Sequence, residues 1–231
     1  MHRRQFVRLA GSCAAHLGWC AAFGGRLAAQ AMSTASRPVV TEQVWGRIER
    51  IADGVWALIS TPLAGGPDAR RTLSNGGIVA GRSGVAIIEG FASLEGARWM
   101  AEQARQLTGR PATHVIVTHF HGDHAAGLPG YRDGSSGPQF FTTSETRGRL
   151  RGAVAETLAA AQLVDGTAPA VLDLGGRRLT MTPRSGHTTS DVSIVVDDPA
   201  VMFGGDLLWN RFFPNYVDAI PSILSREVRA L

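Results

Sequence analysis

The sequence predicts an α/β domain in which two sheets form a sandwich flanked by helices. Three observations predict it. From Gly46 onward, apolar residues alternate in short runs, the pattern of half-buried strands. These runs fall into two halves, each of strands followed by a stretch of helical periodicity. At 231 residues the chain has the length of one such domain with a sizeable core. It shows no internal repeat and no low-complexity linker.

Taken in order, residues 32–45 read as a flexible lead-in to a domain spanning 46–231. Strands are predicted at Gly46–Ala52, Val55–Ser60, Gly76–Gly81 and Val85–Glu89. Residues 61–71 are rich in Pro, Gly and Asp and read as an exposed loop. Residues 93–108 read as an amphipathic helix with Leu94, Ala97, Met100, Ala101 and Ala104 on one stripe. Ser93 is its expected N-cap and Gly109 its stop. A β-branched strand follows at 113–118, and a polar loop hangs from its end, where open α/β sheets place their sites. Beyond it come a strand at 140–142, a helix over 145–163, strands at 170–174, 178–182, 192–196 and 201–203, and a helix from Pro221.

The charge is unevenly placed. All 23 basic residues are Arg, and the formal charge is +4. Arg3, Arg4, Arg8 and Arg26 lie in the first 31 residues, which carry no acid. Without them, 23 − 4 leaves 19 Arg against 19 acids, so the basicity belongs to the N-terminus and nucleic acid is excluded as an expected partner.

Residues 1–31 read as a twin-arginine export signal: Arg3-Arg4, an apolar stretch from Leu9 to Phe23, then Ala29-Gln30-Ala31 at a cleavage site. The expected partner of this segment is the export machinery, and the expected location is the periplasm or the exterior. The apolar stretch is short and Gly-rich for a membrane span, and no later stretch reaches spanning length. Both cysteines, Cys13 and Cys20, lie in the signal, so the mature chain has no disulfide and no thiolate ligand.

The stretch that carries chemistry is His119-Phe120-His121-Gly122-Asp123-His124, directly after the apolar Val115-Ile116-Val117. Crowded imidazoles and carboxylates are costly to desolvate, but as ligands of a divalent cation at about 2.0–2.2 Å their crowding has a purpose. His119 and His121, two apart on an extended loop, can reach one point. Gly122 is expected to turn the chain sharply, and the adjacent Asp123 and His124 then serve a second cation a few ångströms away. Two downstream segments add donors. His187 stands in the Gly-flanked Ser185-Gly186-His187-Thr188, and Asp206 ends the apolar Val201-Met202-Phe203-Gly204-Gly205.

In these motifs, H-x-H-x-D-H at 119–124, Gly-His-Thr at 186–188 and Gly-Asp at 205–206, the chain resembles the metallo-β-lactamase-fold hydrolases from about Gly46 onward. The resemblance implies an αββα sandwich with a dinuclear zinc site at one edge. It implies one zinc on His119, His121 and His187 and a second on Asp123, His124 and Asp206, with Asp206 bridging. Asp206 stands where the β-lactamases themselves generally carry Cys or Ser, a pattern similar to the glyoxalase II and lactonase branches. Glu89 stands where many members carry an Asp that supports the His loop. No His follows His187, although the family usually supplies one more ligand there, and further C-terminal strands and a helix are usual. The sequence is therefore expected to be a C-terminally truncated member.

The remaining candidates are weighed one by one. Asp191 is placed to orient His187, or to serve a turn. Trp209, Phe212, Phe213 and Tyr216 are candidates for a substrate-pocket wall, or for packing. His114, at the far end of the cluster's strand, reads as structural, and Arg70 and Arg71 read as solvated surface.

The implied activity is hydrolysis of a small-molecule ester, thioester, lactone or amide. The two zinc ions share a water whose pKa falls from about 15.7 toward 7, and Asp123 orients it. The alternatives are a mononuclear iron dioxygenase of sulfur compounds on the same fold, and a non-catalytic remnant.

Overall fold

The computed structural model describes residues 37–231 except 62, 64, 65, 133–136 and 211. The expected export signal, residues 1–31, lies outside the described residues.

Two sheets lie face to face. The larger is assembled in chain order from β1 (Val39–Gln43), β2 (Gly46–Ala52), β3 (Val55–Ser60), β4 (Gly76–Ala80), β5 (Val85–Ile88), β6 (His114–Ile116), β7 (Gln139–Thr142) and β8 (Gln162–Leu163). Pairing is antiparallel from β1 to β5 and parallel from β5 to β8. The smaller sheet holds β9 (Ala170–Asp173), β10 (Arg178–Arg184), β11 (Asp191–Val196) and β12 (Val201–Phe203), all antiparallel, in the order β12-β11-β10-β9.

Period-two alternation sorts the apolar residues into two layers. On β5, Val85 and Ile87 join the cluster under the long helix, α1 (Leu94–Thr108), with Ala97, Met100 and Ala104. Ala86 and Ile88 point the other way, between the sheets, against Leu179, Met181, Val192 and Ile194. The same split recurs on β6, where Val115 faces α1 and Ile116 faces the second sheet. The result is the two-layer core of an αββα sandwich.

The parallel register aligns Ile88 with Ile116, so the C-terminal ends of β5 and β6 are neighbours. The antiparallel register aligns Ile194 with Phe203, so the start of β11 and the end of β12 share an edge. Loops from these four strand ends converge.

Ser93 caps α1 by accepting a hydrogen bond from the Gly96 amide, and Gly109 ends it in the left-handed conformation. Its stripe is rotated from the expected one: Leu94 is exposed while Gly96 and Gln103 are buried. Of the lead-in expected over 32–45, residues 32–36 lie outside the described residues, and Val39–Gln43 pairs with β2 as an edge strand. Beyond the short α2 (Gly122–Ala125), the helix expected over 145–163 is instead α3 (Ser144–Arg149) and α4 (Gly152–Thr157), followed by β8. Leu150 is extended and packs toward the core, and Gly152 has φ of 58°, so the helical run breaks between them. The last helix, α5 (Pro221–Arg229), starts at Pro221 as expected, with proline in its first turn. No helix among the described residues is long and apolar enough to cross a membrane.

Candidate metal centre

Four strand ends deliver the candidate residues to one place. His119 and His121 leave the end of β6, and a single helical turn, Gly122–Ala125, carries Asp123 and His124. Gly122 opens this turn with ordinary backbone, so the sharp bend expected of it is supplied by the helical turn itself. His187 precedes β11, and Asp206 follows β12 in a 3₁₀ turn. Gly205, at φ 52°, brings Asp206 in: a Cβ there would lie 2.8 Å from Oγ1 of Thr118. Gly186, at φ 143°, is pressed against Leu224 of α5, which fixes the loop before His187.

The ring nitrogens converge. Nδ1 of His121 lies 3.1 Å from Nε2 of His119 and 3.0 Å from Nε2 of His187. A tetrahedral cation with nitrogen ligands at about 2.0–2.1 Å would hold them roughly 3.3 Å apart, close to the spacing seen. A second group adjoins the first. Nε2 of His124 lies 3.2 Å from Asp206 and 3.5 Å from Asp123. Asp206 spans both groups, its other oxygen 3.5 Å from Nε2 of His187. The ligand atoms of His119, His121 and His187 lie within 4.8 Å of one another, as do those of His119, His124 and Asp206.

Hydrogen bonding decides which nitrogens are bare. Thr118 has one hydroxyl proton and lies 2.6 Å from a Glu89 oxygen, which can only accept. Thr118 therefore donates to Glu89, and its oxygen, 3.0 Å from Nδ1 of His119, accepts the proton of that ring. Nε2 of His119 is left bare, facing His121. Both ring nitrogens of buried His124 lie near carboxylates, Nδ1 at 3.1 Å from Glu89, yet neither meets hydrogen-bond geometry. A bare nitrogen on His119 among converging imidazoles and carboxylates, beside the orphaned buried ring of His124, is a donor set that fits divalent cations.

The electrostatics follow from burial and neighbours. Burial, then the rings of His124, His187 and His121, hold His119 well below the ordinary imidazole value. Burial also lowers His187. Burial acts to lower His124, but Glu89 and Asp206 outweigh it and hold that ring well above the ordinary value. Burial acts to raise Asp206, and His124, then His187 and His121, override it and hold the carboxyl low. Burial raises Asp191 to about 6.

All six residues singled out as ligands are brought together. Glu89 sits beneath them, 1% exposed and at a strained φ of 87°, bonded to Thr118 and against His124. Asp191 acts on the loop backbone rather than on the imidazole: it accepts from the amides of His187 and Thr188 and from the Thr188 hydroxyl. The Trp209 ring is 6.0 Å from that of His187, and its indole N–H donates to the Asp206 carbonyl. Phe212, Phe213 and Tyr216 lie exposed, with Phe213 edge-on to Tyr216. His114 packs on Phe141, away from the cluster.

Two residues escaped the sequence reading. Thr118 adjoins the motif, and only its bonds to Glu89 and His119 reveal its part. Asp218 accepts from Nε2 of His121 at 2.9 Å from 97 residues away, and no local pattern marks it.

The fold and the cluster define a two-sheet α/β protein with a His/Asp group at the sheet edge that could hold a metal ion. The sequence model of the metallo-beta-lactamase superfamily matches residues 69–227, and the chain belongs to that superfamily. Solved structures share the fold. A metallo-beta-lactamase from Erythrobacter litoralis, with beta-mercaptoethanol in its active site, superposes with a TM-score of 0.64 at 18% identity, covering 83% of this chain and 85% of that one. A metallo-beta-lactamase from Pontibacter korlensis gives a TM-score of 0.60 at 18% identity, covering 80% and 85%.

Proposed function

We propose that the protein is an exported, zinc-dependent hydrolase of a small-molecule ester, thioester, lactone or amide. One observation carries the reading: Nε2 of His119 and Nε2 of His187 both lie within 3.1 Å of Nδ1 of His121, and Asp206 reaches from this group to His124. Two zinc ions, when bound, supply Lewis acidity for a carbonyl and lower the pKa of water from about 15.7 toward 7. His119, His121 and His187 would hold one ion, and Asp123, His124 and Asp206 the other, with Asp206 shared. Asp123, whose side chain is 40% exposed, meets solvent and orients the attacking water. Trp209, beside His187, would form one wall of the substrate site, and the exposed Phe212, Phe213 and Tyr216 are further candidates for that wall. Asp206, in place of the Cys or Ser of the lactamases, supports the glyoxalase II and lactonase side of the superfamily. Arg3-Arg4 and the apolar stretch after them support export to the periplasm or beyond.

The test is metal analysis with a hydrolysis panel. About two zinc ions per chain and turnover of one of the four bond classes, lost with chelator and regained with zinc, are expected. One iron per chain with oxygen consumption on a sulfur compound would replace the reading with a dioxygenase. No metal and no turnover would remove both.

A further inference from the structure

We propose that Asp218 is a positioning residue, one that fixes the tautomer and tilt of His121 and so prepares the His119, His121 and His187 group for a cation. The proposal rests on the metal-site reading above. A carboxylate only accepts, and Oδ2 of Asp218 lies 2.9 Å from Nε2 of His121, so that nitrogen carries the proton. A neutral ring protonated there has a bare Nδ1. This is the atom that faces Nε2 of His119 at 3.1 Å and Nε2 of His187 at 3.0 Å. Thr118 leaves Nε2 of His119 bare in the same way, since its only hydroxyl proton goes to Glu89. Two lone pairs thus meet across 3.1 Å, an arrangement that a cation between them relieves.

Asp218 is held for this purpose by the chain around it. Two residues on, the Ile220 amide donates to the Gly186 carbonyl at 2.9 Å, and Leu224 packs against Gly186. The segment that braces the His187 loop therefore also carries the acceptor for His121. One stretch of chain thus braces the loop before His187 and bonds the His121 ring.

The competing role is a surface ion pair of no consequence, since the Asp218 side chain is 39% exposed. That exposure also makes substitution safe for folding. The test compares the full wild-type chain with Asp218→Ala and Asp218→Glu. The readouts are ¹⁵N NMR of the His121 ring in chelator-treated protein, Zn²⁺ affinity by chelator competition, and thermal unfolding in chelator. In Asp218→Ala the Nε2–H tautomer of His121 is expected to lose its dominance. The affinity for one zinc ion should fall about 10–100-fold while the other stays within about threefold. Unfolding in chelator should be unchanged, and Asp218→Glu, which retains an acceptor, should recover part of the affinity. A variant that keeps both the tautomer and the affinity overturns the proposal. If wild type binds no zinc, the metal-site reading fails by itself. The ring then decides: a tautomer lost in Asp218→Ala sustains the positioning role, and an indifferent one ends it.

Discussion

Replacing Glu89 by Gln isolates the charge beneath the site, because the shape is kept. The carboxylate receives the Thr118 hydroxyl at 2.6 Å and stands 3.1 Å from Nδ1 of His124, almost wholly buried. A hydrogen bond to a charged group contributes about 1.5–3 kcal/mol, against about 0.5–1.5 for a neutral one. Removing the charge therefore costs the Thr118 hydrogen bond about 1–1.5 kcal/mol, and it takes from His124 the carboxylate charge beside its ring. Together these are expected to produce the 10–100-fold loss, about 1.4–2.7 kcal/mol, typical when a group supporting a metal ligand is replaced. The assay is Zn²⁺ titration against a chromophoric chelator, with thermal unfolding in chelator as the control for folding. The expected result is a 10–100-fold weaker second ion, the one on His124, in a protein that unfolds cooperatively. Zinc affinities within about threefold of wild type would refute the reasoning. So would a variant that is simply unfolded, since Glu89 would then serve the fold alone.

Three further outcomes follow from the same contacts. Thr118→Val keeps the shape but removes the acceptor at Nδ1 of His119, so zinc binding at the His119, His121 and His187 group should weaken about tenfold in competition titration. Gly205→Ala places a Cβ 2.8 Å from Oγ1 of Thr118 at a left-handed φ, costing about 1–2 kcal/mol of strain and displacing Asp206; scanning calorimetry should show that zinc no longer raises the unfolding temperature. Asp191→Ala strands the amides of His187 and Thr188 and the Thr188 hydroxyl, a loss of about 3 kcal/mol that should lower Tm by roughly 6–12 °C in chelator.

Much of this architecture is legible in the residues. Period-two runs mark the strands because each faces a different layer on each side, as Val85 and Ile87 against Ala86 and Ile88 show. The His loop and Asp206 are legible because a cation demands several donors within a short reach, and that crowding has few other causes. Two kinds of feature are not legible. One is tertiary override: Leu150 turns toward the core and breaks a run that reads as helix, and Val39–Gln43 becomes a strand only because β2 offers an edge. The other is support from a distance. Asp218 reaches His121 across 97 residues, and Asp191 works through backbone amides that no side-chain pattern records. Ligands announce themselves by type and spacing, whereas the groups that orient them are fixed by the fold.

The most direct measurement is zinc stoichiometry by equilibrium dialysis on the chelator-stripped chain, beside His187→Ala. Two ions per wild-type chain are expected, with the variant losing the one shared with His119 and His121. A wild-type chain that takes up none, or a variant that still binds both, would contradict the convergence of these side chains on a pair of cations.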